Sequence, residues 1–298
     1  MTADEILAKV LEDQTLRNDS AEMNAIRTTR QAVEALLRSA YDAPTIRYGG
    51  SKAKNTMIGA SYDLDMTCYF ARDDNQAGKT LEEIYNAVAS VLEKNYFVER
   101  KRSALRLTSK DPAHYKIYLH VDVVPGRFID GEDGDIFLHQ NEGDKHLLKT
   151  NLDVHIKHIR ESGVTDAIKL FKLWNVLNAV KVKTFVLELL VVDLLKYHKA
   201  KSLSEQVLII LQAFSDNVDE LSVKDPANPI GNDLSDRLDA VRPSLQAAAI
   251  QTLSLIEKSG WATAFKLPEE QTQAEKVKVL QKAAASVASP TKPWWFNE

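Results

Sequence analysis

The feature that most constrains the fold is a pair of aspartates inside an apolar stretch. Asp63 and Asp65 lie within residues 62–70, whose other members are mostly apolar and predict a buried strand. In a strand, residues i and i+2 point to the same side, so both carboxylates can face one point in space. Two ionised carboxylates on one side of such a strand repel each other unless a cation lies between them. Hard divalent cations with oxygen ligands, above all Mg²⁺, suit that arrangement.

A third aspartate and a glycine-serine turn extend the pattern. Residues 115–124 are rich in β-branched and aromatic side chains, carry Asp122, and predict a strand that ends at Pro125-Gly126. A third carboxylate on a neighbouring strand would complete a two-metal site, which clamps the attacking and leaving oxygens of a phosphoryl displacement. Upstream, Gly50 lets the backbone approach a phosphate, and the Ser51 hydroxyl can hold its oxygens.

The order G-S, then D-x-D, then a lone aspartate on a later strand resembles the DNA polymerase β-like nucleotidyltransferases. Each piece alone is common: a D-x-D occurs on many surface strands, and a G-G-S turn is usually only a turn. The resemblance implies that Asp63 and Asp65 bind both Mg²⁺ ions, with Mn²⁺ as a substitute. It also implies that Asp122 completes one metal site and helps to deprotonate the attacking ribose hydroxyl.

Two helical patterns in the second half carry the next motifs, K-x-W-N and T-F-x-L-E. Lys172 interrupts an apolar run, where a lysine either extends to solvent or offers a point charge to a triphosphate. Thr184 stands where an N-cap is expected, and a helix N-terminus is a ready anion site. Phe185 is most simply a core residue, and the alternative is stacking on a base.

These motifs resemble the helical lobe shared by cyclic GMP-AMP synthase, the oligoadenylate synthetases and the bacterial cGAS/DncV-like nucleotidyltransferases, the SMODS-type CD-NTases. The resemblance implies that Gly50, Ser51, Lys172 and Thr184 hold the donor triphosphate and that Phe185 stacks on its base. The chain has Thr and Phe where Ser and Tyr are more usual, so a phenolic hydrogen bond would be lost. The run K-D-P-A-N-P-I-G-N-D at 224–233 resembles a loop of oligoadenylate synthetases and archaeal CCA-adding enzymes.

The remaining candidates have plainer interpretations. His155 and His158 lie one helical turn apart, and such pairs are usually surface residues rather than metal ligands. The basic residues of the hairpin near 100–116 are either a charged edge strand or a phosphate or nucleic-acid contact.

Pattern along the chain predicts an α+β fold. Residues 1–150 mix helical and strand patterns, whereas the pattern from 152 onward is almost entirely helical. We therefore expect a polymerase β-like sheet lobe with an N-terminal helix at 1–150 and a helical lobe at 151–298, with a nucleotide cleft between them. The predicted strands span 45–48, 96–101, 104–108 and 136–139, besides those above. The predicted helices span 2–41 with a break at 19–20, 81–95, 152–161, 165–177, 183–198, 204–217, 233–258 and 274–287.

Composition narrows the setting. A net charge of −4 over 298 residues argues against a protein that coats nucleic acid. The single cysteine, Cys68, excludes internal disulfides and a cysteine zinc site. The N-terminus has no signal-peptide pattern and no apolar run is long enough to span a bilayer, so we expect a cytoplasmic protein.

The expected function is a Mg²⁺-dependent, template-independent nucleotidyltransferase that joins NTPs into a cyclic di- or trinucleotide and releases pyrophosphate. In the bacterial family this implies anti-phage (CBASS) signalling to a cyclic-nucleotide-gated effector, by a monomer that needs neither membrane nor nucleic acid. Two alternatives stay open: an RNA 3′-end transferase of the CCA-adding type, whose G-S-K-A-K-N-T and V-D-V-V-P motifs are similar, and a catalytically silent nucleotide sensor.

Overall fold

The fold is that of a mixed sheet followed by helices, which confirms the predicted α+β class. The computed structural model describes residues 1–110, 120–131, 133–142 and 145–265, so the helix predicted at 274–287 lies outside the described residues. The strands are β1 Thr45–Tyr48, β2 Leu64–Phe70, β3 Tyr96–Arg100, β4 Leu105–Ser109, β5 Val121–Phe128, β6 Ile136–His139 and β7 Leu147–Thr150. The helices are α1 Ala3–Asp13, α2 Ala21–Ala40, α3 Gly50–Ala53, α4 Leu81–Leu92, α5 Leu152–Arg160, α6 Thr165–Leu177, α7 Thr184–Leu194, α8 Leu203–Asp216, α9 Asp236–Asp239, α10 Arg242–Ser259 and α11 Trp261–Phe265.

The first two helices are separated by residues 14–20, because the first helix ends at Asp13, earlier than predicted. Ser20 takes an extended conformation, and its hydroxyl accepts a hydrogen bond from the Met23 N–H at 3.2 Å. A side chain that satisfies an otherwise free N–H of the first turn favours a new helix start at that position. The start of the second helix after Ser20 is therefore confirmed, whereas the interruption is longer than the predicted 19–20.

The sheet places the strands in the order β1-β2-β5-β4-β3, with β6 paired to β5 and β7 paired to β6. β2 and β5 are parallel, whereas β1 with β2 and β4 with β5 are antiparallel. Leu64, Met66, Val121 and Val123 enter the hydrophobic core. Because side chains alternate along a strand, the intervening residues face the opposite side, where the site lies.

β5 extends further than the sequence predicts. The predicted end at Pro125-Gly126 is wrong, because the strand continues to Phe128. Pro125 pairs with Cys68 of β2, and on its other side it lies between the residues paired with β4 and those paired with β6. A residue without an N–H is tolerated where the ladder is interrupted. Residues 115–119 of the predicted strand lie outside the described part of the chain.

The two larger hydrophobic clusters of the described residues mark the two lobes, and a smaller third cluster lies around Tyr69 and Phe128. The sheet lobe, formed by the strands with α2, α3 and α4, contains the core around Met66, Val88 and Val123. The helical lobe, formed by α5 to α11, contains the core around Phe171 and Trp174. Leu7 of α1 is fully buried in the helical core, so the N-terminal helix packs on the lobe that follows it in sequence by 150 residues. The lobe boundary near Thr150 stays a prediction.

The single helix predicted at 233–258 is wrong, because two helices, α9 and α10, occupy that range. Pro243 stands in the first turn of α10. A proline has no N–H to donate and its ring clashes with the carbonyl of residue i−4, so it starts a helix but disrupts a helix interior. Among the described residues, no helix has the length and apolar character that crossing a bilayer requires.

Candidate active site

The three predicted carboxylates meet on one face of the sheet. Asp65 of β2 pairs directly with Asp122 of β5 in the parallel ladder, so their side chains lie side by side on the face opposite the core. Asp63 lies just before β2, which begins at Leu64, so the predicted strand start at 62 is two residues too early. Asp63 is half-buried, and the charge of Asp122 raises its pKa, so it lies close to the other two acids. Adjacent parallel strands thus bring together acids that are 57 or more positions apart in the chain.

The electrostatics of this cluster fit a divalent cation. Burial, followed by the charges of Asp122 and Asp63, raises the pKa of Asp65 to about 7. Burial and then Asp122 also raise the pKa of Asp63. A bound cation would remove this repulsion, and carboxylate oxygens are the ligands that Mg²⁺ prefers. Among the residues that the structure describes, no group of three acidic, histidine or cysteine side chains is arranged to hold a metal.

An arginine that was not predicted to lie at the site holds Asp122 in position. Arg106 of β4 pairs with Asp122 across the antiparallel ladder and donates to both of its oxygens, at 2.8 and 2.7 Å. The hydrogen bonds to Asp122 raise the pKa of Arg106, so its charge is permanent. Both oxygens of Asp122 therefore face Arg106.

The glycine-serine turn lies against Asp65. Gly50 begins the short helix α3 with φ +66°, and a Cβ at this position would lie 1.7 Å from Asp65 Oδ2. The Gly49 N–H donates to the Asp65 carbonyl at 3.0 Å. Only glycine allows both the left-handed conformation and this close approach. The structure thus places Ser51 and the start of α3 immediately beside the carboxylates.

Lys172 is buried, and it does not extend to solvent. It is 4% exposed, and its ammonium donates to the Thr56 carbonyl at 2.8 Å. Burial lowers the pKa of Lys172 to about 8. The same region contains a buried ion pair between Lys54 and Glu188 of α7, with Nζ and Oε2 2.6 Å apart. Lys54, Thr56 and Glu188 were not among the predicted site residues, although an acid inside an apolar helix indicates a buried partner.

Thr184 and Phe185 lie at the start of α7. Thr184 is the first helical residue and the N-cap is Lys183, so the predicted N-cap position of Thr184 is wrong by one residue. Phe185 is half-buried, with its ring centroid 4.7 Å from that of His155. The Lys54 ammonium lies 5.0 Å from the Phe185 ring. Phe185 therefore sits between groups from both lobes.

Of the two histidines of α5, His158 is exposed, as predicted, whereas His155 is half-buried and has a hydrogen-bond partner. His155 Nε2 lies 2.6 Å from Asp225 Oδ1, which also accepts from the Ala227 N–H at 2.8 Å. Asn232 donates to the other Asp225 oxygen at 2.8 Å. Burial raises the pKa of Asp225, but the hydrogen bonds and charge of His155 outweigh it and the net direction is down. The D-P-A-N-P loop is thus a hydrogen-bonded turn whose Asp225 orients His155.

A cavity of about 540 Å³ joins these groups, a size typical of small-molecule sites. Its lining includes residues of both lobes. The predicted residues that line it are Gly50, Ser51, Asp63, Asp65, Lys172, Thr184 and Phe185, and Asp122 is the one that does not. Lys54, Glu188, His155 and Asp225 line it as well.

Several solved structures share this architecture. No family model and no curated protein matches the chain. The structure of E. coli MS115-1 CdnC with ATP matches with a TM-score of 0.63 at 20% identity, covering 94% of this chain and 96% of that chain. The Bradyrhizobium diazoefficiens CD-NTase CdnG in complex with GTP matches at 0.66 with 14% identity, covering 96% and 98%. The Vibrio cholerae DncV cyclic AMP-GMP synthase with nonhydrolyzable GTP matches at 0.56 with 15% identity, covering 95% and 80%. The chain therefore has the polymerase β-like fold of the CD-NTases, as its motifs predicted.

Proposed function

We propose that the protein is a Mg²⁺-dependent nucleotidyltransferase that joins NTPs into a cyclic di- or trinucleotide and releases pyrophosphate. The observation that carries the proposal is the set of carboxylates on the adjacent strands β2 and β5, beside a turn suited to phosphate. Asp65 and Asp122 are register partners, and Gly50 contacts Asp65. Acids whose repulsion calls for a cation, next to backbone that can cradle phosphate, are the two parts that phosphoryl transfer needs.

The residues divide between binding and proton handling. Gly50, Ser51, Lys172 and Thr184 would hold the donor triphosphate, and Phe185 would support its base. Asp63, Asp65 and Asp122 would hold Mg²⁺, or Mn²⁺ in its place, which supplies charge neutralisation at the phosphates when bound.

Asp122 would also draw the proton from the acceptor ribose hydroxyl. Each of its oxygens has a second lone pair beyond the one that Arg106 uses, so Asp122 can face the hydroxyl while Arg106 keeps it in place. The hydroxyl oxygen then bonds to the donor α-phosphorus, and the bond from that phosphorus to the bridging oxygen of the pyrophosphate breaks. Repeating the step within the linear product closes the ring.

Similarity over the whole length supports a cyclic product over RNA tailing. The matches to CdnC and CdnG cover 94% or more of this chain, so they include the helical lobe. The CCA-adding alternative draws on the G-S-K-A-K-N-T and V-D-V-V-P motifs of the sheet lobe and on the loop at 224–233, which the oligoadenylate synthetases share. In the bacterial family, a cyclic product implies CBASS signalling to a nucleotide-gated effector.

A product assay tests the proposal. The full-length protein is incubated with the four NTPs and MgCl₂ without RNA, treated with alkaline phosphatase, and its products are identified by mass spectrometry. We expect phosphatase-resistant cyclic products, and we expect none from the double variant Asp63→Asn/Asp65→Asn. The matched control Asp73→Asn changes an exposed aspartate outside the cavity and should keep full activity.

Other outcomes decide between the alternatives. Elongation of an added RNA without cyclic product would favour the CCA-adding type. Nucleotide binding without turnover, in Mg²⁺ and in Mn²⁺, would favour the silent sensor. Unchanged turnover in the double aspartate variant would refute the metal assignment.

A further inference from the structure

A buried acid of the helical lobe accepts hydrogen bonds from the proposed phosphate-binding turn of the sheet lobe. Glu188 of α7 has no exposed surface, and its two oxygens accept from two different residues of the turn that follows Ser51. Lys54 Nζ donates to Oε2 at 2.6 Å, and Thr56 Oγ1 donates to Oε1 at 2.6 Å. Both contacts join residues more than 130 positions apart. One carboxylate therefore fixes a lysine and a hydroxyl of the opposite lobe.

A second contact closes the connection between the lobes. Lys172 of α6 donates to the Thr56 carbonyl at 2.8 Å, so Thr56 is held through both its hydroxyl and its backbone by the helical lobe. Thr56 is fully buried, and its N–H donates to the Ser51 carbonyl at 2.8 Å. The helical lobe thus holds the end of the turn whose start carries Gly50 and Ser51.

Stability alone is a weak reason for such a network. A buried ion pair loses hydration that its mutual attraction only partly recovers, and an apolar replacement is often as stable. The network also places the ammonium groups of Lys54 and Lys172 beside the cavity. An ammonium group at such a place attracts an anion that binds there.

The network reaches the cavity itself. Lys54, Lys172 and Glu188 all line it. The charges of Lys54 and Glu188 act on Asp65 in opposite directions, the lysine lowering its pKa and the glutamate raising it. The Lys54 ammonium lies between Glu188 and the Phe185 ring. It is therefore within electrostatic range of both the aspartate cluster and the proposed phosphate site.

We propose that Glu188 is a positioning residue that holds the 50–56 turn and the Lys54 ammonium in the arrangement that receives the triphosphate of a nucleotide. The identity of the ligand rests on the proposed function. Glu188 does not contact the nucleotide; it acts through Lys54 and Thr56. Without its carboxylate, the turn is released from α7 and Lys54 is free to pair with Asp65, so binding must restore the order that Glu188 supplies.

The test compares nucleotide binding and local order in the full-length protein. Glu188→Gln keeps the side-chain size and removes the charge. Isothermal titration with a nonhydrolysable ATP analogue and MgCl₂ should show a Kd at least tenfold higher than wild type. In the Lys54→Met background the same change should weaken binding less than twofold, because the ammonium that pairs with the Glu188 charge is gone, while the glutamine oxygen can still accept from the Thr56 hydroxyl. The matched control Glu257→Gln, an exposed acid of α10, should bind as wild type does.

Hydrogen–deuterium exchange without nucleotide provides an independent readout. Glu188→Gln should speed exchange in peptides that cover residues 50–56 and leave those of α8 unchanged. A purely structural role predicts the reverse pattern: lower global stability, general loss of protection, and unchanged Kd for the folded protein. Unchanged turn exchange, or unchanged Kd where wild type binds, overturns the proposal. A wild-type protein that binds no nucleotide refutes the proposed function instead, and the exchange pattern still decides the role of Glu188 in the turn.

If Glu188→Gln fails to unfold cooperatively, Thr56→Val replaces it. This variant loses only the hydroxyl bonded to Glu188 and keeps the carbonyl bonded to Lys172. We expect a three- to tenfold rise in Kd and faster turn exchange, and wild-type values for both would overturn the proposal.

Discussion

Replacing Asp65 by asparagine is expected to stabilise the metal-free protein while removing its response to metal. Burial and the neighbouring acids Asp122 and Asp63 make the ionised Asp65 unfavourable in the folded state, which raises its pKa to about 7. An acid with a raised folded pKa has no effect on stability below its unfolded pKa. The folded state then loses stability as pH rises through the interval between the two pKa values. The loss is complete above the folded pKa.

The size of the effect follows from that interval. A rise from 3.8 to about 7, at about 1.4 kcal/mol per pKa unit, corresponds to about 4 kcal/mol of destabilisation at pH 8. Asp65 is half-buried and lines the cavity, so solvent screening reduces this upper value. We expect Asp65→Asn to raise the free energy of unfolding at pH 8 by roughly 1–3 kcal/mol, and by less at pH 5.

The assay is urea unfolding in EDTA at pH 5 and pH 8, with the linear extrapolation of the free energy. Asp73→Asn serves as the matched control, because this aspartate is exposed and its replacement should change stability by less than about 0.5 kcal/mol. Addition of MgCl₂ with a nucleotide analogue should raise the melting temperature of wild type and not of Asp65→Asn. A variant that is less stable than wild type in EDTA at pH 8 would refute the account of repelling carboxylates.

Two further predictions concern a turn and a core. Gly50→Ala should abolish nucleotide binding, measured by calorimetry, because the added Cβ would displace Asp65. The control Gly131→Ala has a similar φ of +68°, and nothing lies within 4 Å of its added Cβ. It should cost only about 1 kcal/mol in stability and leave binding unchanged. Equal effects of the two substitutions would contradict the close approach. Thr252→Val removes the acceptor of the buried Trp174 indole N–H, 2.8 Å away, and should lower the free energy of unfolding by about 1–3 kcal/mol in urea denaturation. An unchanged unfolding midpoint would show that the indole finds another acceptor.

Local order was largely determined by the sequence. The predicted bounds of α6 and of the strands β1 and β6 agree with the structure, because hydrophobic spacing and turn residues act over a few positions. The pairing of Asp63 with Asp65 on one face follows from the same short-range geometry. The helix predicted at 233–258 is two helices in the structure, because Pro243 favours a helix start and disfavours a helix interior.

Only the tertiary structure decided which distant residues meet. Strand order determines the register of Asp65 with Asp122 and the hydrogen bonds from Arg106 to Asp122. Lobe packing determines the contacts of Glu188 and His155. No local pattern encodes these choices, because spacing along the chain states which face a side chain occupies and not which element comes to lie against it. The sequence therefore determined the acids and their strands, and packing determined the partners that charge, hold and orient them.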